Sequence, residues 1–311
     1  SGYMHDGKPL NGGSHNSDYN LQDGWNSAMW GHTYSYIFPQ IYQSENATRD
    51  KHSGFFGITK ILKVEAVSYT HLRKYTSWIK FANSLRMRLA MRIALADKEK
   101  SRSEFLKAFN NEYGVLEAEN ELVAVSTQSG YTNPLGELNL VWNETYMSAP
   151  MESIMNGYED PRKAVYFATC QDKAYTGQYR GIRQGTCFSH TSYLGLSKLQ
   201  TTQKTDAILM TAAEVWFLRA EAALRDWTSE NAGTCYERGV GISQTADYLN
   251  SDKLAADFVD TYDTENNIKA RCTVSPKWIE TADRDTKLEK IMTQKWLAMF
   301  PEGCEAWAEQ R

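Results

Sequence analysis

The sequence predicts a mostly α-helical fold in which helix pairs are joined by long irregular loops, and three stretches carry that prediction. Trp78–Asp97 repeats apolar residues at helical spacing through Trp78, Phe81, Ala82, Leu85, Leu89 and Ile93, with Lys80, Arg86, Arg88 and Arg92 on the flanks. Asp206–Trp227 does the same through Leu209, Ala213, Phe217, Ala220 and Leu224, and after a short turn Ser229–Ser243 supplies a partner helix. Small alanines at close-packing positions beside one bulky aromatic make this a tetratricopeptide-like pair, the unit of an α-superhelical scaffold. The third stretch is Lys287–Arg311. Thr286 is placed to cap it with Glu289 closing a capping box, and Leu288, Ile291, Met292, Trp296 and Met299 fall near one face. Pro301-Glu302-Gly303 stops that helix, and Ala306, Trp307 and Ala308 belong to a second helix folded back on it.

The 311 residues suffice for a sizeable core and fit one large domain or two ordinary ones. A net charge of −4 and a pI near 5.9 provide no basic field for nucleic acid. The five cysteines, Cys170, Cys187, Cys235, Cys272 and Cys304, are widely spaced, without the CxxC pattern of a zinc site or the density of a disulfide framework. No run is long and apolar enough to span a bilayer. There is no HExxH, no GxSxG, no phosphate loop and no dinucleotide fingerprint, so neither a catalytic residue nor a cofactor or metal is expected. The carboxylates in the strongest motifs, Glu214, Glu221 and Glu289, sit on helices, where capping or ion pairing accounts for them.

In chain order, Ser1–Gly24 is a polar lead-in rich in Gly, Asn and Ser. Helical spacing follows at Trp25–Ile41, interrupted by Pro39, and more clearly at Gly57–Ala66. Ser101–Gly114 is amphipathic, and Leu116–Ser126 is a weaker helix. Tyr131–Pro150 mixes Gly, Pro, Asn and aromatics in the manner of an exposed, function-bearing loop. Asp160-Pro161-Arg162 forms a turn with a structural task, the proline ending a helix and the charged side chains bonding nearby backbone. Lys163–Thr205 has little helical pattern, with tyrosines at 166, 175, 179 and 193 among glycines at 177, 181, 185 and 195. Such a long irregular stretch is functional or disordered. Asp247–Ile279 is polar and helix-prone.

Loop composition nominates Trp142, Tyr146, Tyr179, Arg183 and Tyr193 as ligand-binding residues. Tyrosine and tryptophan rings offer flat apolar faces with a polar edge, which suits sugar rings, and Arg180 and Arg183 beside Tyr179 add donors for sugar hydroxyls. The plain alternative is a connection with packing tyrosines.

The wording of these stretches is more specific than their periodicity. WIKFANSLRMRLAMRIA (Trp78–Ala94), TAAEVWFLRAEAALRDW with YERGVGIS (Thr211–Trp227, Tyr236–Ser243), YTGQYRGIRQG after the Asp-Pro-Arg turn, and EKIMTQKWLAMFPEGCEAWAEQR (Glu289–Arg311) resemble the SusD/RagB family of outer-membrane nutrient-binding lipoproteins. The resemblance covers most of residues 55 to 66 and 73 to 311. It implies one SusD-like domain, a lipid anchor on the outer membrane, an oligosaccharide or other nutrient as ligand, and a SusC-type TonB-dependent transporter as partner. It also implies a chain incomplete at both ends, lacking a signal with its lipid-acceptor cysteine before Ser1 and a further loop after Arg311. Val67–Leu72, VSYTHL, stands where the family carries an insert. The peptide is also the translation of a transposon end used in sequencing libraries, and it reads as an assembly junction, a natural short loop being the alternative. Loss of an insert strips partners from apolar helix faces and predicts marginal stability. Two other functions compete with nutrient capture. One is a tetratricopeptide-like protein-interaction scaffold without a small ligand; the other is a carbohydrate-active enzyme, which needs two facing carboxylates that no motif supplies.

Overall fold

The computed structural model describes residues 4–5, 8–9, 75–185, 190–243, 246–261 and 267–309. The helices expected at Trp25–Ile41 and Gly57–Ala66, the junction at Val67–Leu72, and Cys187 lie outside the described residues. Strands β1 (Met4–His5) and β2 (Lys8–Pro9) pair antiparallel. The remainder is mostly helical, as the periodicities require.

Helix α1 (Tyr75–Arg92) packs against α2 (Lys98–Phe109). Asp97 caps α2 by accepting from Lys100 N at 3.0 Å, and Ser101 Oγ pins it to α1 by donating to Ala90 O at 2.7 Å. The buried face of α1 matches the expected stripe only in part, with Trp78 and Phe81 half-buried against the core. Ala82 is exposed and Leu89 is 52% exposed, whereas Met87, Arg88, Met91 and Ala94 are buried. The rotation follows from Arg88. Its guanidinium turns inward to pair with Glu214, both N···O distances being 2.6 Å, and the flanking Met87 and Met91 enter the apolar cluster.

Strand β3 (Leu122–Val125) pairs antiparallel with β4 (Ala207–Thr211), Leu122 opposite Thr211 and Val125 opposite Ala207. The weak helix expected at Leu116–Ser126 is therefore corrected to a turn followed by a strand at Leu122–Val125, and the first residues of the helix expected from Asp206 to a strand at Ala207–Thr211. Short apolar runs such as LVAV and AILMT have no readable period, and pairing with each other decides their state. Thr211 then caps α6 (Ala212–Leu224), accepting from Glu214 N at 3.4 Å.

Helix α6 is buried nearly all round, which makes it the central helix of the scaffold. Val215 and Leu218 join one apolar cluster with Met87, Met91 and Phe105. Ala213, Phe217 and Ala220 join a second with Met155, Tyr158, Tyr236, Ile291 and Leu297. Its partner α7 (Ala232–Ser243) approaches closely because Gly239 has no side chain, a Cβ there meeting the Phe217 ring at 3.0 Å. This α6–α7 pair is the tetratricopeptide-like unit that the alanine spacing predicts.

Between β3 and β4 the chain forms α3 (Pro134–Leu140), α4 (Ala149–Gly157) and α5 (Lys163–Tyr166). Helix α3 corrects the expectation of an unbroken loop at Tyr131–Pro150; Asn133 caps it with Pro134 at its first position, where a missing N–H costs nothing. After α7, the described residues of Asp247–Ile279 begin in a short 3-10 turn, Ala246–Asn250, and are otherwise irregular rather than α-helical, with a backbone bridge from Phe258 to Ile268.

The chain closes with α8 (Arg284–Ala298) and α9 (Gly303–Ala308), the expected hairpin. Its cap is Asp283, whose carboxylate accepts from Thr286 N at 2.9 Å, so Thr286 is not the cap. Glu289 closes no capping box; it accepts from Thr273 N at 3.0 Å. The buried face is also more polar than expected. Leu288, Met292 and Trp296 are half-buried, while Lys290, Gln294 and Lys295 are buried with Ile291 and Leu297. Each polar group there has a partner: Lys290 donates to Ser275 O at 2.7 Å, Gln294 accepts from Arg162 at 2.8 Å, and Lys295 pairs with Glu309 at 2.6 Å. Arg92 of α1 pairs with Glu305 and with Glu309, tying the hairpin to α1. No helix among the described residues is long and apolar enough to cross a membrane.

Candidate functional site

The irregular segments between α3 and β4 are fastened into one layer. Backbone bridges join Tyr146 to Lys198, Ser148 to Ile182 and Phe167 to Leu199. Met147 N donates to Ser197 O at 2.8 Å, and Ala149 N to Ile182 O at 2.9 Å. Gly181 is required where two of these segments touch, since a Cβ there sits 2.7 Å from Ser148 O. Asn139 of α3 is buried beneath the layer, donating to Thr201 O at 2.9 Å and accepting from Thr145 Oγ1 at 2.8 Å. The described residues of Lys163–Thr205 are thus held by pairing with the segment before α4 and with one another, not by a period of their own.

The structure brings Tyr146 and Tyr193 together edge to face, their ring centroids 5.0 Å apart and their planes at 80°. Both are half-buried. Tyr179 lies on the same layer with Lys163 Nζ 5.5 Å from its ring centre, and its carbonyl accepts from Asn156 at 2.8 Å. Arg183 is held in an ion pair, Nε 3.0 Å from the buried Asp260 carboxylate. Trp142 is 57% exposed beside exposed Leu140 and Val141, and makes no ring contact with the tyrosine pair among the described residues.

Two residues that the sequence did not single out, Glu152 and Asp260, complete the layer. Glu152, buried on α4, accepts from Gly181 N and pairs with Arg180 Nε at 3.1 Å. Burial pushes its carboxyl up to about 7, against the downward pull of the Gly181 N–H and Arg180, with the nearby Asp260 charge adding to the rise. Arg180 also lies over the Tyr175 ring at 4.8 Å and donates to Val259 O. Glu152 and Asp260 are far apart in sequence, and no local pattern joins them to each other or to their arginines.

The Asp160-Pro161-Arg162 turn is a buried structural node. Asp160 accepts from Arg162 N at 2.9 Å and from Tyr248 Oη at 2.8 Å, while the Arg162 side chain bonds the Asp160 carboxylate and Gln294 rather than backbone. The helix carboxylates are likewise engaged: Glu214 with Arg88, Glu221 with Arg225 at 2.8 Å, and Glu289 with Thr273. Among the described residues no group of His, Cys, Asp and Glu is arranged to hold a metal ion.

A helix-pair scaffold carrying a fastened, tyrosine-bearing loop layer defines the class: a tetratricopeptide-like α-helical protein with its aromatic groups displayed on loops. The chain belongs to the SusD-like family, whose model, described as Susd and RagB outer membrane lipoprotein, matches residues 1–71 and 68–311. Among solved structures it is similar to a SusD homologue from Bacteroides vulgatus ATCC 8482, with 33% identity and a TM-score of 0.80 over 95% of this chain and 75% of that one. A chitin-binding SusD homologue from Flavobacterium johnsoniae is 33% identical with a TM-score of 0.74, over 97% of this chain and 63% of that one. A SusD-like protein from Bacteroides thetaiotaomicron VPI-5482 is 28% identical with a TM-score of 0.78, over 94% and 75% of the two chains. No curated protein matches the chain.

Proposed function

We propose that the protein captures an oligosaccharide at the bacterial surface on the Tyr146–Tyr193 pair and passes it to a SusC-type TonB-dependent transporter in the outer membrane, to which a lipid anchor holds it. The observation that carries the binding part is the edge-to-face tyrosine pair on a layer fixed by backbone bridges. Two held rings lose little freedom when a sugar stacks on them. Family membership supports the location and the transporter partnership. The chitin-binding relative makes chito-oligosaccharides the first ligands to try.

The protein is a binder rather than an enzyme on this reading. Glu152 and Asp260, the buried carboxylates of the layer, are each engaged by an arginine, which is the arrangement of structural ion pairs rather than of the acid and nucleophile of glycoside hydrolysis.

Calorimetric titration with oligosaccharides tests the binding site. Tyr146→Ala and Tyr193→Ala are each expected to lower affinity about tenfold, roughly 1.4 kcal/mol. Unchanged affinity in both variants removes the site.

The domain-level reading is that Val67–Leu72 joins two parts of one SusD-like gene. Its support is that the two family matches meet within that peptide. Sequencing the native gene across these codons is expected to show an insert in place of VSYTHL; an uninterrupted natural VSYTHL ends the idea.

A further inference from the structure

Resting on the capture reading above, we infer that the loop layer selects uncharged saccharides and turns away acidic ones, because both arginines of its tyrosine–glycine segment are already neutralised from inside the protein. Arg180 Nε lies 3.1 Å from Glu152 Oε1, and Arg183 Nε lies 3.0 Å from Asp260 Oδ2. The two carboxylates are only 6% and 2% exposed, so neither turns out to water when its arginine is taken away. A ligand carboxylate or sulfate that draws on either guanidinium leaves a buried anion poorly paired and brings a like charge beside it, which works against binding. A sugar hydroxyl makes no such demand. It accepts from guanidinium N–H groups while the internal pairs persist, and its ring stacks on Tyr146 and Tyr193.

The remaining charges of the layer are of both signs. Lys163 lies over the Tyr179 ring and 3.5 Å from Asn156 Oδ1. Lys173 is exposed near Asp172, whose carboxylate accepts from Ala174 N. Lys198 is the bridge partner of Tyr146, and Glu144 lies two residues before that tyrosine on the same extended segment. Lys198, whose backbone bridges Tyr146, is the cation nearest the tyrosine pair along the chain and the first to test for reading an acidic ligand.

The test is titration of the purified protein at about pH 8, where Glu152 is ionised, with chito-, xylo- and manno-oligosaccharides and with oligogalacturonate, hyaluronan and chondroitin sulfate oligosaccharides. The expected result is binding of at least one neutral ligand, lost in Tyr193→Ala, with every acidic ligand at least about tenfold weaker. Glu152→Gln, which leaves Arg180 without its counter-charge, is expected to strengthen acidic-ligand binding several-fold relative to neutral-ligand binding. An acidic oligosaccharide that binds the unaltered protein as tightly as any neutral one, through Tyr193 and Lys198, overturns the inference; Lys198→Met shows the latter. Silence across all the saccharides overturns the capture reading itself, and the inference falls with it.

Discussion

At Glu152 a buried carboxyl meets the Gly181 N–H and Arg180, with Asp260 and Arg183 the other charged groups around it. The folded protein holds its proton up to about 7, against an ordinary value of 4.5. An acid with a raised folded-state pKa favours folding most below its unfolded value, and that contribution is lost as pH rises through about 7. The shift corresponds to about 3 kcal/mol. Urea unfolding at about pH 5 and about pH 8 checks it: the unaltered protein should lose stability relative to Glu152→Gln over that interval, and parallel behaviour contradicts the assignment. The Arg88–Glu214 pair makes a different demand. Glu214→Ala leaves the buried Arg88 only the more distant Glu305 carboxylate, at 3.5 Å, and should cost about 3 kcal/mol in the same assay. Tyr146 and Tyr193 were legible as candidates because aromatic residues in irregular stretches stand out. Glu152 and Asp260 were not, since what makes them matter is the arginine each meets in space.

Helix faces are decided by their partners, and α1 shows how far that departs from a count of apolar residues. Leu89 continues the sequence stripe yet is 52% exposed, whereas Met91 is fully buried against α2 and α6. Met91→Ala should therefore cost about 2–5 kcal/mol, and Leu89→Ala under about 1 kcal/mol, by urea denaturation. Equal costs would restore the stripe that the sequence alone suggests. The α6–α7 pair and the α8–α9 hairpin were legible because their periods run over several turns with clear breaks. Strands β3 and β4 were hidden, since runs of four or five apolar residues fit strand and helix alike. The cap of α8 was misplaced by three residues because Asp283 and Thr286 are both good capping residues, and only the bond from Thr286 N to Asp283 separates them.

Across the whole molecule, α6 divides two apolar clusters, and the loop layer rests on the second, with Met147, Phe167 and Leu199 of the bridged segments packed into it. The scaffold thus holds the tyrosine pair from below, which ties the family's helical architecture to the proposed capture of a saccharide. A competing location exists on the same molecule: a groove of about 220 Å³ between α8 and α9, lined by Ile154, Met292, Trp296, Met299 and Ala306. A crystal structure with a bound oligosaccharide distinguishes the two most directly. The account predicts a sugar ring against Tyr146 and Tyr193, with the Arg180–Glu152 and Arg183–Asp260 pairs intact. A sugar seated in the α8–α9 groove, with the tyrosine pair bare, would contradict it.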